Sequence, residues 1–545
     1  MRIKLKNVIK DHLLLIFFLS FYFFALGFKL ISHPTPFYDW DESINVQVSK
    51  ETIENKSLVP LWQGNYWLDK PPFPFLFFGI IMKLTPFIQP EISLRLISLF
   101  LSIIALIFIY IIYLKAVNVT SEVKEERSDG KTSEVGKVMA FLTVVIIAFT
   151  PIFLQRSQIL NLDVFLLIGW LGYLLFVQNF WLSLFFLTIA VLTKSLIGFY
   201  PILITLSYQT FTTLLSFRAK RSEVEKSLFK RTLVKIFSQM AILSIWYLVM
   251  FFFFGKDFWQ QHIIETHFRR VTASIESHFG QRTYYIDLMI QQLGIFFWIS
   301  LLGLVFVIYN ALSVISTLSI SKGRNLAKRK NYVWILYSLF LFPWFIFLNL
   351  TKTKIFWYLY PAIPQLAFLS VYPLTLLSHP LPFVSFPRKW ESSSLLNRFR
   401  IKYGMTIIGI IILSYIFYQN FVKTNLFTTF YSKPEDHYRL ALFAKDRCNS
   451  LSILVGKETR DATKTLEKLG LTITSTKQWG DHPSIVYYFG KKVDFYYDKT
   501  LLAKNLTSIS KNNCLAIQTN DLDLNPENKQ FNLVKNFNSI YLFKR

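Results

Sequence analysis

Long apolar runs with few charges recur along most of this chain, and they restrict the folds that it can adopt. Leu13–Phe24, Leu94–Leu114 and Val138–Leu154 are three of these runs. A helix needs about 20 mostly apolar residues to cross the roughly 30 Å of hydrocarbon in a bilayer. The pattern predicts a mainly α-helical, polytopic membrane protein with about eleven transmembrane helices. The predicted spans lie near residues 13–32, 92–115, 138–155, 163–178, 180–193, 196–214, 237–254, 287–311, 332–350, 355–378 and 403–421.

The composition agrees with a membrane protein and argues against two other classes. Of the 545 residues, 53% are hydrophobic and 17% are charged, against roughly 25% charged residues in ordinary soluble domains. A disordered chain is thereby excluded, and a single soluble globule is a poor description. The net charge of +26 does not require nucleic acid, because membrane proteins concentrate Lys and Arg in cytoplasmic loops. We expect membrane lipids, and no nucleic acid, as partners.

The distribution of basic residues predicts the orientation in a plasma membrane. Arg2, Lys4 and Lys10 precede the first apolar run and place the N-terminus in the cytoplasm, and no small-residue cleavage site follows. The segment 73–89 is apolar but is broken by prolines. We interpret it as interfacial, because a spanning segment would turn every later basic loop outward. The cytoplasmic loops are then 217–236, 312–331 and 379–402, while loop 33–91 and the chain after residue 421 lie outside.

The chain is expected to contain two domains. Residues 1–421 form the transmembrane domain, and the polar residues 422–545 are typical of a small α/β domain outside the membrane. Its predicted elements are a helix at Thr463–Leu469 and strands at Leu451–Val455, Leu471–Thr474, Val493–Tyr497, Cys514–Gln518, Phe531–Val534 and Ile540–Phe543. Two cysteines cannot form a disulfide-rich scaffold or a four-ligand zinc site. Cys448 and Cys514 form either one disulfide or two buried thiols.

Three acids follow the first span in the sequence Tyr38-Asp39-Trp40-Asp41-Glu42-Ser43. Ionised groups at a bilayer surface usually face protein or a wet cavity. Asp39 and Glu42 have the spacing of a helix capping box, which would give both a purely structural role. A capping box does not explain the presence of Asp41. Its carboxylate is therefore a candidate general base toward an acceptor hydroxyl or amine.

A fourth acid, Asp163, opens the apolar run that ends at Val177. Acids are common in the first turn of a helix because they interact favourably with the helix dipole, and this alone could explain Asp163. The predicted topology, however, places Asp163 on the same membrane face as Asp41. A shared polar site is the alternative.

Several cations are predicted on that outer face, where Lys and Arg are disfavoured. Any one of them could extend toward lipid headgroups. As a group they would suit phosphate, which needs positive charge and several donors, and a polyprenyl phosphate would place its headgroup at this depth. The candidates are Lys70, Lys194, Arg270, Lys352 and Lys354.

Two His and two acids between Glu265 and His278 are a weak signal for a divalent metal, because their spacing matches no specific metal motif. Ordinary polar loop residues are the alternative. The sequence also shows no Walker A segment, no dinucleotide fingerprint and no paired-cysteine metal motif. The energy for any reaction must then come with the substrate or from a gradient.

Several short segments follow one another along the chain in a recognisable order. Asp41-Glu42 is followed by Trp67-Leu68-Asp69-Lys70-Pro71-Pro72, and Leu192-Thr193-Lys194 resembles a Leu-Thr-Lys-Gly turn in which Ser195 replaces Gly. Thr351–Lys354 and Tyr358–Pro364 then resemble a Ser-Lys-Thr-Lys…Tyr…Pro-Ala-Leu-Pro segment. This order, over roughly residues 10–375, resembles the bacterial protein-mannosyltransferase and aminoarabinose-transferase group. These are GT-C-type membrane glycosyltransferases that use sugars on polyprenyl phosphates.

The resemblance implies a hexosyl- or pentosyltransferase that moves a sugar from a polyprenyl phosphate to a lipid, glycan or protein. It implies that Asp41 activates the acceptor, Glu42 supports it and Asp163 is a second acid in the cavity. Lys70 would hold the lipid phosphate, with help from Lys194, Arg270 or the Lys352/Lys354 pair. Asp69 and His267 stand where some relatives bind a metal, although Asp replaces the usual Glu. A divalent metal is the one cofactor that the resemblance suggests, and no cofactor is otherwise required.

Two other classes share part of this pattern. A transporter of a lipid-linked sugar or another solute would share the spans and the cationic face, but transporters often carry internal repeats, which this sequence does not show. A structural scaffold with a soluble sensor tail would explain the topology. It would not explain Asp41, Lys70 and Asp163, so their dispensability would favour either alternative.

Overall fold

The computed structural model describes residues 11–121, 134–217, 223–318, 342–373, 409–423, 434–506, 511–524, 526 and 531–545. Within these ranges the chain is mainly helical, and a five-stranded sheet forms near its C-terminus. The predicted loop 379–402 lies outside the described residues. The loops 217–236 and 312–331 and the last three predicted spans are described only in part.

Fifteen helices are described up to residue 373. They are α1 Leu13–Ser32, α2 Asp41–Glu54, α3 Phe73–Leu84, α4 Pro90–Ser121, α5 Glu134–Ala148, α6 Pro151–Ser157, α7 Asp163–Leu175, α8 Phe180–Lys194, α9 Tyr200–Phe217, α10 Glu223–Phe258, α11 Arg270–Thr272, α12 Tyr284–Leu293, α13 Ile295–Leu318, α14 Phe342–Leu350 and α15 Ile363–Val371. Ser195–Phe199 and Phe356–Ala362 form 3₁₀ turns, Trp259–Arg269 forms a π-helix, and Leu61–Trp62 (β1) pairs with Asn65–Tyr66 (β2). A second π-helical segment is Tyr418–Lys423.

Four helical stretches are long and apolar enough to cross a membrane, and up to six are if two bent helix pairs each count as one span. They are Leu13–Ser32, Pro90–Ala116, Phe180–Thr210 and Phe229–Thr272. Positive φ angles at Ser195 (54°) and Gly255 (48°) interrupt the last two. Large apolar side chains such as Phe24 and Phe252 stay exposed on these helices, as expected where a helix faces lipid. The chain is a membrane protein, but the predicted count of eleven spans is not confirmed among the described residues.

The helix α3 covers the segment whose topology was ambiguous in the sequence. Its 12 residues reach about 18 Å, which is too short to cross the hydrocarbon layer. It packs closely on α2, because a Cβ atom at Gly79 would lie 2.6 Å from the carbonyl oxygen of Ser49. The interpretation of 73–89 as a non-spanning segment therefore agrees with its length and packing.

The C-terminal residues form a mixed sheet with helices. The strands are β3 Leu451–Leu454, β4 Val493–Tyr496, β5 Cys514–Gln518, β6 Asn532–Phe537 and β7 Ile540–Lys544, in the order β4-β3-β5-β7-β6. β3 is parallel to β4 and β5, and the other pairs are antiparallel. The helices are α16 Asp436–Lys445, α17 Lys457–Lys468, α18 Ser484–Phe489 and α19 Lys499–Asn505, with 3₁₀ turns at Thr476–Gln478 and Thr519–Leu524.

One predicted strand, Leu471–Thr474, is wrong. The segment is a loop, because its backbone groups bond outside any sheet. Leu471 N–H donates to the carbonyl of Leu466, and Thr474 N–H donates to Glu265 Oε2 at 2.8 Å. A short β-prone run thus serves as a contact to the helical part of the chain.

Cys448 and Cys514 form a disulfide with a Cα–Cα distance of 5.6 Å, which decides between the two alternatives left open by the sequence. The bond joins the end of α16 to the start of β5. Aromatic contacts then hold this region on the segment between α2 and α3. Trp479 packs on Trp62 and Trp67, with ring centroids 4.7 Å and 5.4 Å apart.

We predict that Gly303→Ala destabilises the helical core. A Cβ atom at Gly303 in α13 would lie 1.9 Å from the carbonyl oxygen of Leu369 in α15, and neither helix backbone can yield cheaply. Overpacking of this kind costs about 1–3 kcal/mol, so the thermal-unfolding midpoint of the detergent-purified protein should fall. Gly409→Ala is the matched control, because no atom of the described residues outside its own stretch of helix lies within 4 Å of its added Cβ. Equal midpoints for the two variants would contradict the close α13–α15 contact.

Candidate active site

Asp41 is the first residue of α2 and is joined to Arg156. Arg156 Nη1 donates to Asp41 Oδ2 at 3.3 Å, and 35% of the Asp41 side chain remains exposed. Burial raises the pKa of the Asp41 carboxyl, and the neighbouring Asp163 raises it further, against the opposing effect of Arg156. A carboxylate with a raised pKa accepts a proton more readily than an ordinary one.

Glu42 is fully buried, and the protein's own donors occupy both of its carboxylate oxygens. Arg95 donates to them at 2.9 and 2.5 Å, and the backbone N–H groups of Leu160 and Tyr38 donate at 2.8 and 2.9 Å. Glu42 thereby ties α2 to α4 and to the turn that follows α6. It does not line the cavity described below, so its geometry is that of a support for Asp41.

The capping-box expectation is wrong for Asp39. The structure shows no side-chain cap at the start of α2. Asp39 Oδ1 instead accepts from Ser484 N–H at 3.0 Å, and Oδ2 lies 2.8 Å from His482 Nδ1. The reason is tertiary: the C-terminal region offers stronger partners than the local helix end.

Arg156 connects the two acidic positions. Its side chain is 2% exposed, and its Nη2 lies 3.5 Å from Asp163 Oδ2, while Nη1 contacts Asp41. Its guanidinium also stacks over Trp357 at 4.6 Å. Asp163 in turn forms an ion pair with Lys194. The four side chains therefore form one continuous, largely buried chain of alternating charge, with Asp41 at its more exposed end.

Asp163 does not cap α7, although it lies in its first turn. Asn161 Oδ1 accepts from Val164 N–H at 3.0 Å and supplies the cap. The dipole explanation accounts for the position of Asp163 but not for its pairing with two cations. The structure thus favours the shared polar site.

A cavity of about 730 Å³ lies beside this chain of charges. Its polar end is lined by Lys70, Lys194 and Arg270, together with Asp69 and Asp163. Most of the remaining wall is apolar. It includes Leu203, Leu206, Met240, Trp344 and Phe347. The cavity therefore combines a cationic end with an apolar wall, while Asp41 lies outside its lining and reaches it through Arg156 and Asp163.

Lys70 differs from the other cations of the cavity. Lys194 is paired with Asp163, and Arg270 with Glu276 at 2.9 Å. Lys70 forms neither a hydrogen bond nor an ion pair with any residue that the structure describes. Burial lowers its pKa to about 7, and the nearby Arg270 and Lys194 lower it as well. An ammonium group held in this way would gain from an anionic partner.

Two predicted phosphate ligands lie away from the cavity. Lys352 has an exposed side chain, and Lys354 Nζ donates to the carbonyls of Leu348 and Asn349 at 3.1 Å each. Lys354 thus caps the C-terminal end of α14, where unsatisfied carbonyls attract a cation. Thr351 and Thr353, their neighbours, line the cavity instead.

The structure brings Asp69 and His267, the predicted metal pair, to the same cavity. Asp69 Oδ2 accepts from Ser475 at 2.8 Å, and burial raises the pKa of Asp69. His267 Nε2 is buried and has no hydrogen-bond partner among the residues that the structure describes. The acids of the surrounding loop do not join them, because Glu265 bonds Thr474 and Glu276 bonds Arg270.

Ser195 and His262 hold the two lysine-bearing segments together. Ser195 Oγ lies 2.7 Å from His262 Nε2 and 2.9 Å from the Tyr247 hydroxyl, while His262 Nδ1 lies 2.8 Å from the Leu68 carbonyl. Ser195 adopts φ 54°, a conformation that favours glycine. The hydroxyl therefore adds a link between the Lys194 turn and the Lys70 loop. No sequence pattern singles out His262, whereas Arg156 stands in the same predicted outer turn as Asp163 and could have been recognised as its opposite charge.

Solved structures of two glycosyltransferases are similar to this structure. The structure is similar to ArnT from Cupriavidus metallidurans bound to undecaprenyl phosphate, with a TM-score of 0.59, 11% identity and 98% of both chains covered. The apo state of that ArnT gives a TM-score of 0.58, 12% identity and 97% of both chains. The apo oligosaccharyltransferase of Archaeoglobus fulgidus gives 0.51 and 12%, over 92% of this chain and 69% of that chain. No family model and no curated protein matches the sequence. The chain has the fold of these GT-C glycosyltransferases, which confirms the predicted resemblance at the level of fold.

We predict that Arg156→Gln lowers the free energy of unfolding by about 3 kcal/mol, because it removes the shared cation from two acids, one of them buried. Thermal unfolding of the detergent-purified protein measures the effect. Lys137→Gln is the control, because Lys137 pairs with Asp11, whose side chain is 60% exposed, and such pairs contribute at most about 1 kcal/mol. An equal, small loss in both variants would show that Arg156 does not hold the site together.

Proposed function

We propose that this chain transfers a sugar from a polyprenyl phosphate to an acceptor at the extracytoplasmic face of the membrane. The observation that carries the proposal is the cavity, whose cationic end continues into an apolar wall. A lipid phosphate has the complementary form, with a charged head and an apolar tail. Cations can satisfy the phosphate oxygens with charge-assisted hydrogen bonds. The structural similarity to ArnT bound to undecaprenyl phosphate supports the same substrate class.

The phosphate would lie against Lys70, Lys194 and Arg270, and the polyprenyl chain would run along α9, α10 and α14. Of these three cations, Lys70 is the one without an acid partner of its own among the described residues. It would therefore supply the charge that a phosphate needs without breaking an existing ion pair. Lys194 and Arg270 would add donors after shifting within their pairs.

The reaction would be a displacement at the anomeric carbon of the sugar. The acceptor oxygen or nitrogen forms the new bond to that carbon, the bond from carbon to phosphate oxygen breaks, and the proton of the acceptor passes to Asp41. The bonding electrons leave with the polyprenyl phosphate, whose charge the cations at the polar end stabilise. Asp163 and Arg156 would hold Asp41 in place, and Glu42 would fix the start of α2.

Asp69 and His267 would hold a divalent metal, since both line the cavity and His267 Nε2 has no other partner. Two protein donors leave room for phosphate oxygens or water. When bound, the metal would add positive charge near the phosphate. Arg270 and Lys70 would provide charge there in either case.

The same proposal extends to organisation. Residues 1–421 would form the transmembrane transferase domain of a multi-pass plasma-membrane protein with a cytoplasmic N-terminus. Residues 422–545 would form an extracytoplasmic domain that covers loop 33–91. The acceptor would be a lipid, a glycan or a protein, and the transferred sugar a hexose or a pentose.

Asp41→Asn should reduce sugar transfer by about 10²–10⁴-fold, because the amide cannot take the acceptor proton. The assay follows the loss of polyprenyl-phosphate-linked sugars from membranes that carry equal amounts of folded protein, with a panel of donors. Glu54→Gln, an exposed acid at the end of the same helix, should retain wild-type turnover. Turnover in Asp41→Asn equal to the wild type would remove Asp41 from the mechanism.

Lys70→Met should weaken binding of undecaprenyl phosphate about tenfold or more, because a hydrogen bond to a charged group contributes roughly 1.5–3 kcal/mol. Binding is measured with the purified protein and the lipid phosphate alone. Lys352→Met is the matched control, since this lysine also lies in a segment that resembles the family but lies outside the cavity lining. An equal loss in both variants would indicate a general surface-charge effect in place of a built phosphate site.

A further inference from the structure

A second cluster of metal-ligating side chains lies where the C-terminal region meets the loop before α2. It consists of Asp39, His437 in the first turn of α16, and His482 just before α18. Asp39 Oδ2 lies 2.8 Å from His482 Nδ1, and Asp39 Oδ1 lies 3.8 Å from His437 Nε2. The cluster is the one group of three or more such residues with converging donor atoms in the described ranges.

The donor set suits zinc. Two imidazole nitrogens and one carboxylate oxygen are common zinc ligands, and each sits about 2.0–2.2 Å from the ion. Ligand atoms on a tetrahedral ion at that radius are about 3.3 Å apart. Asp39 Oδ2 lies 2.8 Å from His482 Nδ1 and Asp39 Oδ1 lies 3.8 Å from His437 Nε2, and one donor atom from each residue lies within 4.8 Å of the other two. The two imidazole rings stack with an angle of 10° between their planes, so they would rotate toward a common point when they bind one ion.

The groups around the cluster are also those of a metal site. Metal-binding residues are usually oriented by further hydrogen bonds or carboxylates. Ser484 N–H donates to Asp39 Oδ1 at 3.0 Å, and Glu435 Oε2 lies 3.5 Å from His437 Nδ1, the ring nitrogen that does not face Asp39. The side chains of Asp39, His437 and His482 are 20%, 7% and 28% exposed, which leaves access for an ion and a water molecule.

We propose that Asp39, His437 and His482 bind a Zn²⁺ ion, at a site separate from the Asp69/His267 pair. The ion connects Asp39, two residues before Asp41, to α16 and to the turn before α18. It thus fixes the C-terminal region against the loop that precedes α2. The proton shared by Asp39 and His482 leaves when the ion binds, and the fourth position takes water. The proposal stands independently of the transferase reaction.

The test is zinc binding by the full-length protein in detergent after chelator treatment. Titration calorimetry should give saturable binding, and zinc should raise the thermal-unfolding midpoint. His437→Gln and His482→Gln should each weaken this binding at least about tenfold and abolish the thermal shift. The Asp69→Asn/His267→Gln double variant should retain both. Wild-type affinity in His437→Gln and His482→Gln, or loss of the thermal shift in the double variant alone, would overturn the assignment.

A measurement on the wild type keeps the test independent of variant folding. Zinc should protect His437 and His482 from acylation by diethyl pyrocarbonate, as read by peptide mass spectrometry. Protection that appears only at His267, or no saturable zinc binding at all, would show that the cluster is a hydrogen-bonded Asp–His pair with a stacked second imidazole. The ring centroids of the two histidines are 4.1 Å apart, which is the geometry of that alternative.

Discussion

The buried guanidinium of Arg156 is the interaction on which the candidate site depends. Its desolvation is costly, and only close acids and aromatic faces can offset that cost. Asp41, Asp163 and Trp357 supply them, and they come from three separate segments. The ion pair of Asp163 with Lys194 then extends the connection to the end of α8. One cation thus positions the candidate base and, through one acid, a candidate phosphate ligand.

This arrangement decides which charges remain for a ligand. Lys194 and Arg270 are largely neutralised by Asp163 and Glu276, so they orient an incoming anion more than they attract it. Lys70 is held near them with no acid in contact among the described residues, and its lowered pKa reflects the unfavourable surroundings of its charge. A phosphate would relieve that destabilisation. The polar end of the cavity therefore suits an anion, and holding the charge of Lys70 there costs some stability.

The sequence predicts those parts of this site that depend on local pattern. The length of the apolar runs locates α1 and α4 closely, and the order of motifs predicts the fold and points to Lys70, Lys194 and Asp163, which the structure brings to one cavity. The capping box at Asp39 and the strand at Leu471–Thr474 are wrong for one reason: both segments exchange local bonds for partners more than 200 residues away. Lys354 is similar, since its spacing matches a phosphate motif while the end of α14 provides nearer carbonyls. These hydrogen-bond partners depend on which surfaces meet in the folded protein. A short window of sequence does not reveal those surfaces.

The C-terminal region makes polar contacts with three acids that precede it in the chain. Ser475 holds Asp69, Thr474 holds Glu265, and His482 faces Asp39. Of these three acids, Asp69 is the one that lines the cavity, where Lys70 and Arg270 lie near it. If Asp69 were released from Ser475, it could neutralise either cation and compete with a phosphate. Under the proposed function, the contact with Ser475 would therefore help to preserve the positive charge at the polar end of the cavity.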